Sequence, residues 1–111
     1  MKMLNGGVVE DVSNGTIIRI SDWSVFPGGR HCEDSDYSAC EFLENVVLPN
    51  IEERTIIDLN GTRGIASCFL DELAIELRKY FSSEKLHEFL EVRCDHDSIV
   101  TEFWRYVDKK R

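Results

Sequence analysis

The stretch from Arg54 to Phe81 constrains the fold more than any other part of the chain. It runs Arg-Thr-Ile-Ile-Asp-Leu-Asn, passes two glycines at Gly61 and Gly64, and continues into an apolar stripe at Leu70, Leu73, Ala74, Leu77 and Phe81. The adjacent Ile56 and Ile57 read as a strand buried on both faces. The stripe recurs at every third or fourth residue, which predicts a helix over 67–81 with one face on a sheet. Asp71, Glu72, Glu76 and Lys79 fall outside that stripe. A strand, a glycine turn and an amphipathic helix, in that order, form the first part of a crossover to a parallel strand.

The flanking sequence completes the pattern. Val8–Val12, the turn signal Ser13-Asn14-Gly15 and Thr16–Ile20 read as a hairpin. A long connection over 21–37 follows, with Pro27-Gly28 as type II turn chemistry and a further Gly29. Ser38 with Glu41 forms a capping box. Phe42, Leu43, Val46 and Val47 then predict a helix over 38–48 that Pro49 ends or kinks. Phe89–Cys94 alternates as a half-buried strand does, after a short helical turn at Glu84–Phe89. Ile99, Val100, Phe103, Trp104 and Val107 place a last helix over 96–108. The expectation is an α/β fold: one domain over 16–108 with a mixed β-sheet and three main helices, preceded by residues 1–15 with the first hairpin strand and followed by a basic tail, 109–111.

Composition sets limits on function. The 111 residues carry a formal charge of −8, which disfavours long-range attraction to nucleic acid or anionic membrane and favours, if anything, a basic partner protein. No apolar run approaches the roughly 20 residues that span a bilayer, and the first residues lack the apolar core of a signal peptide. A cytoplasmic chain is therefore expected. Cys32, Cys40, Cys68 and Cys94 form no Cys-x-x-Cys pair, so free thiols are expected. His31, Cys32 and Cys40 match no common zinc spacing, and neither a metal nor a cofactor is expected.

The turn from Asn60 to Ser67 leaves the carboxyl end of a strand and opens a helix, where α/β sheets gather free backbone N–H groups and place ligands. It is not a phosphate-binding P-loop, because Gly-Lys-Ser/Thr is absent, nor a nucleophile elbow, because Gly-x-Ser-x-Gly is absent. Ser67 has two readings, an N-cap of the helix or a phosphoacceptor. As a nucleophile it lacks a local base, since His31, His87 and His96 all lie far along the chain. Arg30, freed by Gly28 and Gly29, is either a solvated arginine or a bidentate partner for an anion or a carboxylate.

Two motifs together carry a family likeness: Pro27-Gly28-Gly29-Arg30 before Tyr37-Ser38 and Phe42, and Asp58, Gly61, Ser67, Phe69, Leu70, Asp71 and Glu72 after the strand. Over roughly residues 16–108 the chain resembles the STAS-like domain family of bacterial proteins, related in fold to anti-sigma-factor antagonists. The resemblance implies a regulatory protein–protein interaction module, with Ser67 at the position of the antagonists' phosphorylated serine and a histidine-kinase-like ATPase as partner. It marks Arg63, Gly64, Ser67, Asp71 and Glu72, with the Gly28, Gly29 and Arg30 loop, as the candidate surface. Ala66 stands where the antagonists carry aspartate, and Cys68 where the pattern has a second serine. The competing expectation is a small enzyme or anion-binding domain that uses Arg30, Asp58 and Ser67 in one pocket. A deep pocket joining those three residues discriminates for it, and a shallow surface discriminates for the binding module.

Overall fold

The computed structural model describes residues 9–12, 15–29 and 37–109. Among these residues four strands form one sheet in the order β1-β2-β3-β4: β1 (Val9–Val12), β2 (Gly15–Arg19), β3 (Thr55–Asp58) and β4 (Leu90–Arg93). β1 pairs antiparallel with β2 as a hairpin, whereas β2–β3 and β3–β4 are parallel. The sheet is therefore mixed, as the strand–helix alternation predicts. Gly15 is required at the start of β2, because an added Cβ would lie 2.2 Å from the Arg54 carbonyl oxygen. That same carbonyl accepts the Thr16 N–H at 2.9 Å.

Among the described residues five helical segments accompany the sheet: α1 (Ile20–Trp23), α2 (39–50, as three consecutive segments), α3 (Ser67–Arg78), α4 (Ser83–Phe89) and α5 (Asp97–Asp108). The strand order climbs from β2 to β4 without reversing. Right-handed crossovers in such a series put every connecting helix on the same face. Burial agrees. Register aligns Ile18, Ile57 and Val92 in one row, and all three belong to the main apolar core. That core also takes Phe42, Leu43 and Val47 from α2, Leu70, Leu73 and Leu77 from α3, Leu86 from α4, and Phe103 and Val107 from α5.

The opposite row holds Ile17, Ile56 and Glu91. Ile17 and Ile56 are buried, at 9% and 3% exposure, yet stand outside the main core. The expectation that Ile56 and Ile57 are both buried therefore holds, but of the two only Ile57 belongs to the main apolar core. On the outer face Glu91 pairs with Arg54 at 3.8 Å and Arg93 at 3.2 Å, and arginine stems of this kind cover apolar surface while their heads stay in water.

The α2 region departs from a regular helix. Ser38 caps it as expected, accepting the Glu41 N–H at 3.2 Å. Ala39–Phe42 is α-helical, Leu43–Val47 widens into a π-helix, and Leu48–Asn50 closes as a 3₁₀ turn. Pro49 has no N–H and its ring crowds the carbonyl one turn back, so a regular ladder cannot pass through it. Asn50 repairs part of the loss, its Nδ2 donating to the Val46 carbonyl at 2.7 Å. The widened turn keeps Leu43, Val46 and Val47 all buried.

Other boundaries shift for identifiable reasons. The 21–37 connection contains α1, whose Ile20 is fully buried and whose Trp23 packs on Phe42 at 4.9 Å between ring centroids. α3 stops at Arg78, and Phe81 leaves the stripe to pack edge-on against Phe89. Glu72, expected on the polar side of α3, is instead 5% exposed. No buried side-chain polar atom among the described residues lacks a hydrogen-bond partner. Cys68 and Cys94 are free thiols, as expected, but Cys40 is disulfide-bonded and corrects that expectation. Sequence spacing carries no information about which thiols the folded chain brings together. No helix among the described residues is long and apolar enough to cross a membrane.

Phe42 joins α1, α2 and α3, since it contacts both Trp23 and Phe69 and is fully buried. Phe42→Ala is expected to destabilise the fold by about 3–5 kcal/mol. Denaturant unfolding, followed through Trp23 fluorescence, measures the loss.

Candidate functional site

The β3–α3 turn meets the segment after α1 at the carboxyl ends of the parallel strands. Asn60 organises the turn: its N–H donates to Asp58 Oδ1 at 2.9 Å, and its Oδ1 accepts the Asp95 N–H at 2.7 Å. Leu59 N–H donates to the Arg93 carbonyl at 2.8 Å and extends the parallel ladder. Gly61 then turns the chain with φ +86°, and an added Cβ would lie 2.8 Å from Ser21 Oγ of α1. Both the dihedral and the close approach require glycine there.

Arg63 ties the two segments together. Its N–H donates to the Val25 carbonyl at 2.7 Å, and its guanidinium carbon sits 5.8 Å from the Phe26 ring centroid. Phe26 is 68% exposed, and Val25 beside it and Tyr37 at the far end of the loop are also exposed. Backbone bonds brace this loop: Gly28 N–H to the Tyr37 carbonyl at 2.9 Å, and Ala39 N–H to the Gly29 carbonyl at 3.0 Å. The two candidate segments, the Pro27-Gly28-Gly29 loop and the Arg63-Gly64 turn, thus form one braced surface. Arg30 lies outside the described residues. Of Trp23 and Phe26, Trp23 is partly buried against the core and set edge-on against Tyr37 at 5.4 Å, whereas Phe26 is exposed.

Ser67 is not the cap that its position suggests. Ala66 occupies the N-cap, with extended backbone, and no side chain caps α3. Ser67 is the first helical residue and is exposed. Ile65 packs against the main core and Leu70 is fully buried within it, the spacing of a hydrophobic staple, which sets where α3 begins. Apolar burial on both sides of the cap outweighs the serine preference for that place.

The Ser67 hydroxyl instead faces α5. Together with Tyr106, which donates to Glu102 Oε2 at 2.7 Å, it holds the Glu102 carboxyl below its ordinary value of 4.5, with Ser67 the larger influence. Glu102 in turn raises the Tyr106 phenol above its ordinary range, and Asp71 adds to that rise. Ser67, Asp71, Glu102 and Tyr106 therefore share one acidic patch where α3 meets α5. Sequence reasoning missed Glu102 and Tyr106. Their four-residue spacing marks them as neighbours on one helix face, but only the packing of α5 on α3 brings them to Ser67.

Two of the three residues expected to share an enzyme pocket, Asp58 and Ser67, do not lie on one face. Strand alternation sends Asp58 to the outer face, in the row with Arg19 and Arg93, whereas α3 and Ser67 lie on the helical side. The depression at this end is lined by Leu59–Ile65, Cys94–His96 and Ile99, and its volume of about 230 Å³ falls below the usual range for ligand pockets. Neither Asp58 nor Ser67 lines it. Among the described residues no group of three His, Cys, Asp or Glu is placed to hold a metal ion.

A second polar cluster joins α4 to α5. Ser83 Oγ donates to Asp108 Oδ1, His87 Nε2 lies 2.9 Å from the same oxygen, and the His87 ring stacks on Trp104 at 4.2 Å. The residue types suggest a hydrolytic triad, but the geometry does not form one. Serine and histidine both turn to the carboxylate and not to each other, so no base activates the hydroxyl.

The hydrogen bonds at Asp108, from Ser83 first and His87 second, lower its pKa from an ordinary 3.8. A carboxyl depressed on folding stabilises the fold above its unfolded value, and that contribution is lost as pH falls through its folded value. The same sign holds for Glu102. Acid titration is therefore expected to lower the melting temperature beginning near pH 4.5. Ser67→Ala is expected to bring the Glu102 carboxyl back toward its ordinary value, to be read by side-chain NMR titration. With no cap lost, its stability change should stay within about 0.5 kcal/mol.

Comparison of the chain with protein-family models, with curated proteins and with solved structures returned no match.

Proposed function

We propose that this chain is a regulatory protein–protein interaction module of STAS-like type, without hydrolase activity of its own, that works in the cytoplasm and engages a histidine-kinase-like ATPase. The observation that carries the reading is the braced ridge in which Arg63 lies over an exposed Phe26. Arginine and aromatic side chains are the residue types that dominate binding energy at interfaces. A ridge held by backbone hydrogen bonds presents them with little ordering left to do on binding. The small depression beside it, about 230 Å³, suits contact with a protein surface better than enclosure of a small substrate.

Ser67 is the control point of this reading. It is exposed at the first turn of α3, next to the ridge in sequence, and accessible to a kinase. A phosphate there gains from the helix N-terminus but faces Asp71 and Glu102, so added charge acts by repulsion at the α3–α5 junction.

Three variants test the proposal against a purified ATPase partner. Arg63→Ala and Phe26→Ser are expected to weaken the complex about tenfold or more while the melting temperature stays near that of the parent, because both side chains are exposed. Ser67→Asp is expected to weaken the complex as well and to raise the Glu102 carboxyl pKa. Unchanged affinity in all three variants removes this face from the interface.

A further inference from the structure

The amino ends of β3 and β4 hold a second cavity that the ridge does not involve. The 51–53 segment before β3, Phe81 and the α4 helix before β4 flank an open cleft of about 400 Å³, within the range of ligand-binding clefts. Its apolar floor is Ile51, Phe81 and Phe89, with the two rings edge-on at 5.0 Å and 64°. Its rim carries three carboxylates, Glu52, Glu53 and Glu88, against one ammonium, Lys85.

This rim is organised before any ligand arrives. Thr55 is fully buried, and its hydroxyl both accepts the Glu52 N–H at 3.0 Å and donates to the Glu52 carbonyl at 3.1 Å. The segment carrying two of the carboxylates is thereby clamped to the first residue of β3. Lys85 and Glu88 approach to only 3.7 Å with both side chains exposed, an arrangement of small energetic value that an incoming cation can displace.

We propose that this cavity binds an arginine side chain of a basic partner segment. An aromatic floor under a carboxylate rim complements a guanidinium, whose planar face stacks on a ring while its N–H groups fork onto carboxylates. The aliphatic stem of the same side chain matches Ile51. The charge of −8 over the chain draws such a segment toward the surface before contact. The site lies at the end of the sheet opposite the Phe26–Arg63 ridge and stands whether or not that ridge is an interface.

A blocked triarginine peptide is the probe, with blocked tricitrulline as its neutral isostere, titrated into the ¹⁵N-labelled protein. The expected result is that triarginine shifts the amides of residues 51–53 and 81–89, and that tricitrulline does not. The double variant Glu53→Gln/Glu88→Gln should weaken binding about tenfold, and Phe81→Leu about fivefold, the latter equivalent to the loss of one cation–aromatic contact. The double variant Asp22→Asn/Asp95→Asn, which changes net charge equally but away from the cavity, should bind like the parent. Equal binding of the two peptides overturns the proposal. So do shifts centred on Val25, Phe26 and Arg63, or equal weakening by the two charge-matched double variants, which marks attraction to net charge alone.

Discussion

The parallel ladder through Ile18, Ile57 and Val92 is the contact on which the rest of the domain depends. It supplies the floor onto which α2, α3, α4 and α5 press their apolar stripes. Because the strands are laid down in one direction, every crossover turns the same way and the helices share one side. A doubly wound sheet reverses its strand order and opens a crevice where adjacent connections diverge to opposite faces. This sheet has no reversal among its parallel strands. The carboxyl ends of β3 and β4 are bridged by Asn60, and what remains is a ridge and a small depression. Topology thus bears directly on chemistry: a chain wound in this way offers surfaces more readily than enclosed sites.

Much of that topology was legible in the residues. Ile56-Ile57 announced a strand, the Leu70–Leu77 spacing a helix, and the Ser38–Glu41 box a cap, because each depends on neighbours a few positions away. What escaped depends on the assembled core. The start of α3 was decided by Leu70 entering the core and Ile65 packing against it, which moved Ser67 one position into the helix. Glu72 was polar by composition yet buried by the rotation of α3. The widening of α2 required Pro49 and the burial demands of Val46 and Val47 to be satisfied together.

The candidate site divides in the same manner. The Asn60–Ser67 turn and the Pro27–Gly29 loop stood out by their glycines, and the structure joins them through Arg63. Asp58 and Ser67, close in sequence and chemically suggestive together, are separated by the sheet itself. Conversely, the true neighbours of the Ser67 hydroxyl come from α5, and the clustered residues before β3 and β4 carry no motif at all. Sequence proximity located the turn, and packing assigned its side chains.

The two outer strands have a consequence for how this domain meets other molecules. β4 lies at one edge of the sheet and alternates Leu90 and Val92 inward with exposed Glu91 and Arg93. β1, at the other edge of the sheet among the described residues, is only four residues long. Short edges bearing charge resist the docking of a further strand, since an incoming backbone would have to strip water from those groups to complete its ladder. The β4 edge is therefore poorly suited to recruiting a peptide by extending the sheet, and equally guarded against pairing edge to edge with its own copies. Contact is left to loops and helix ends, which can be rewritten residue by residue without disturbing the hydrogen-bonded ladder beneath them.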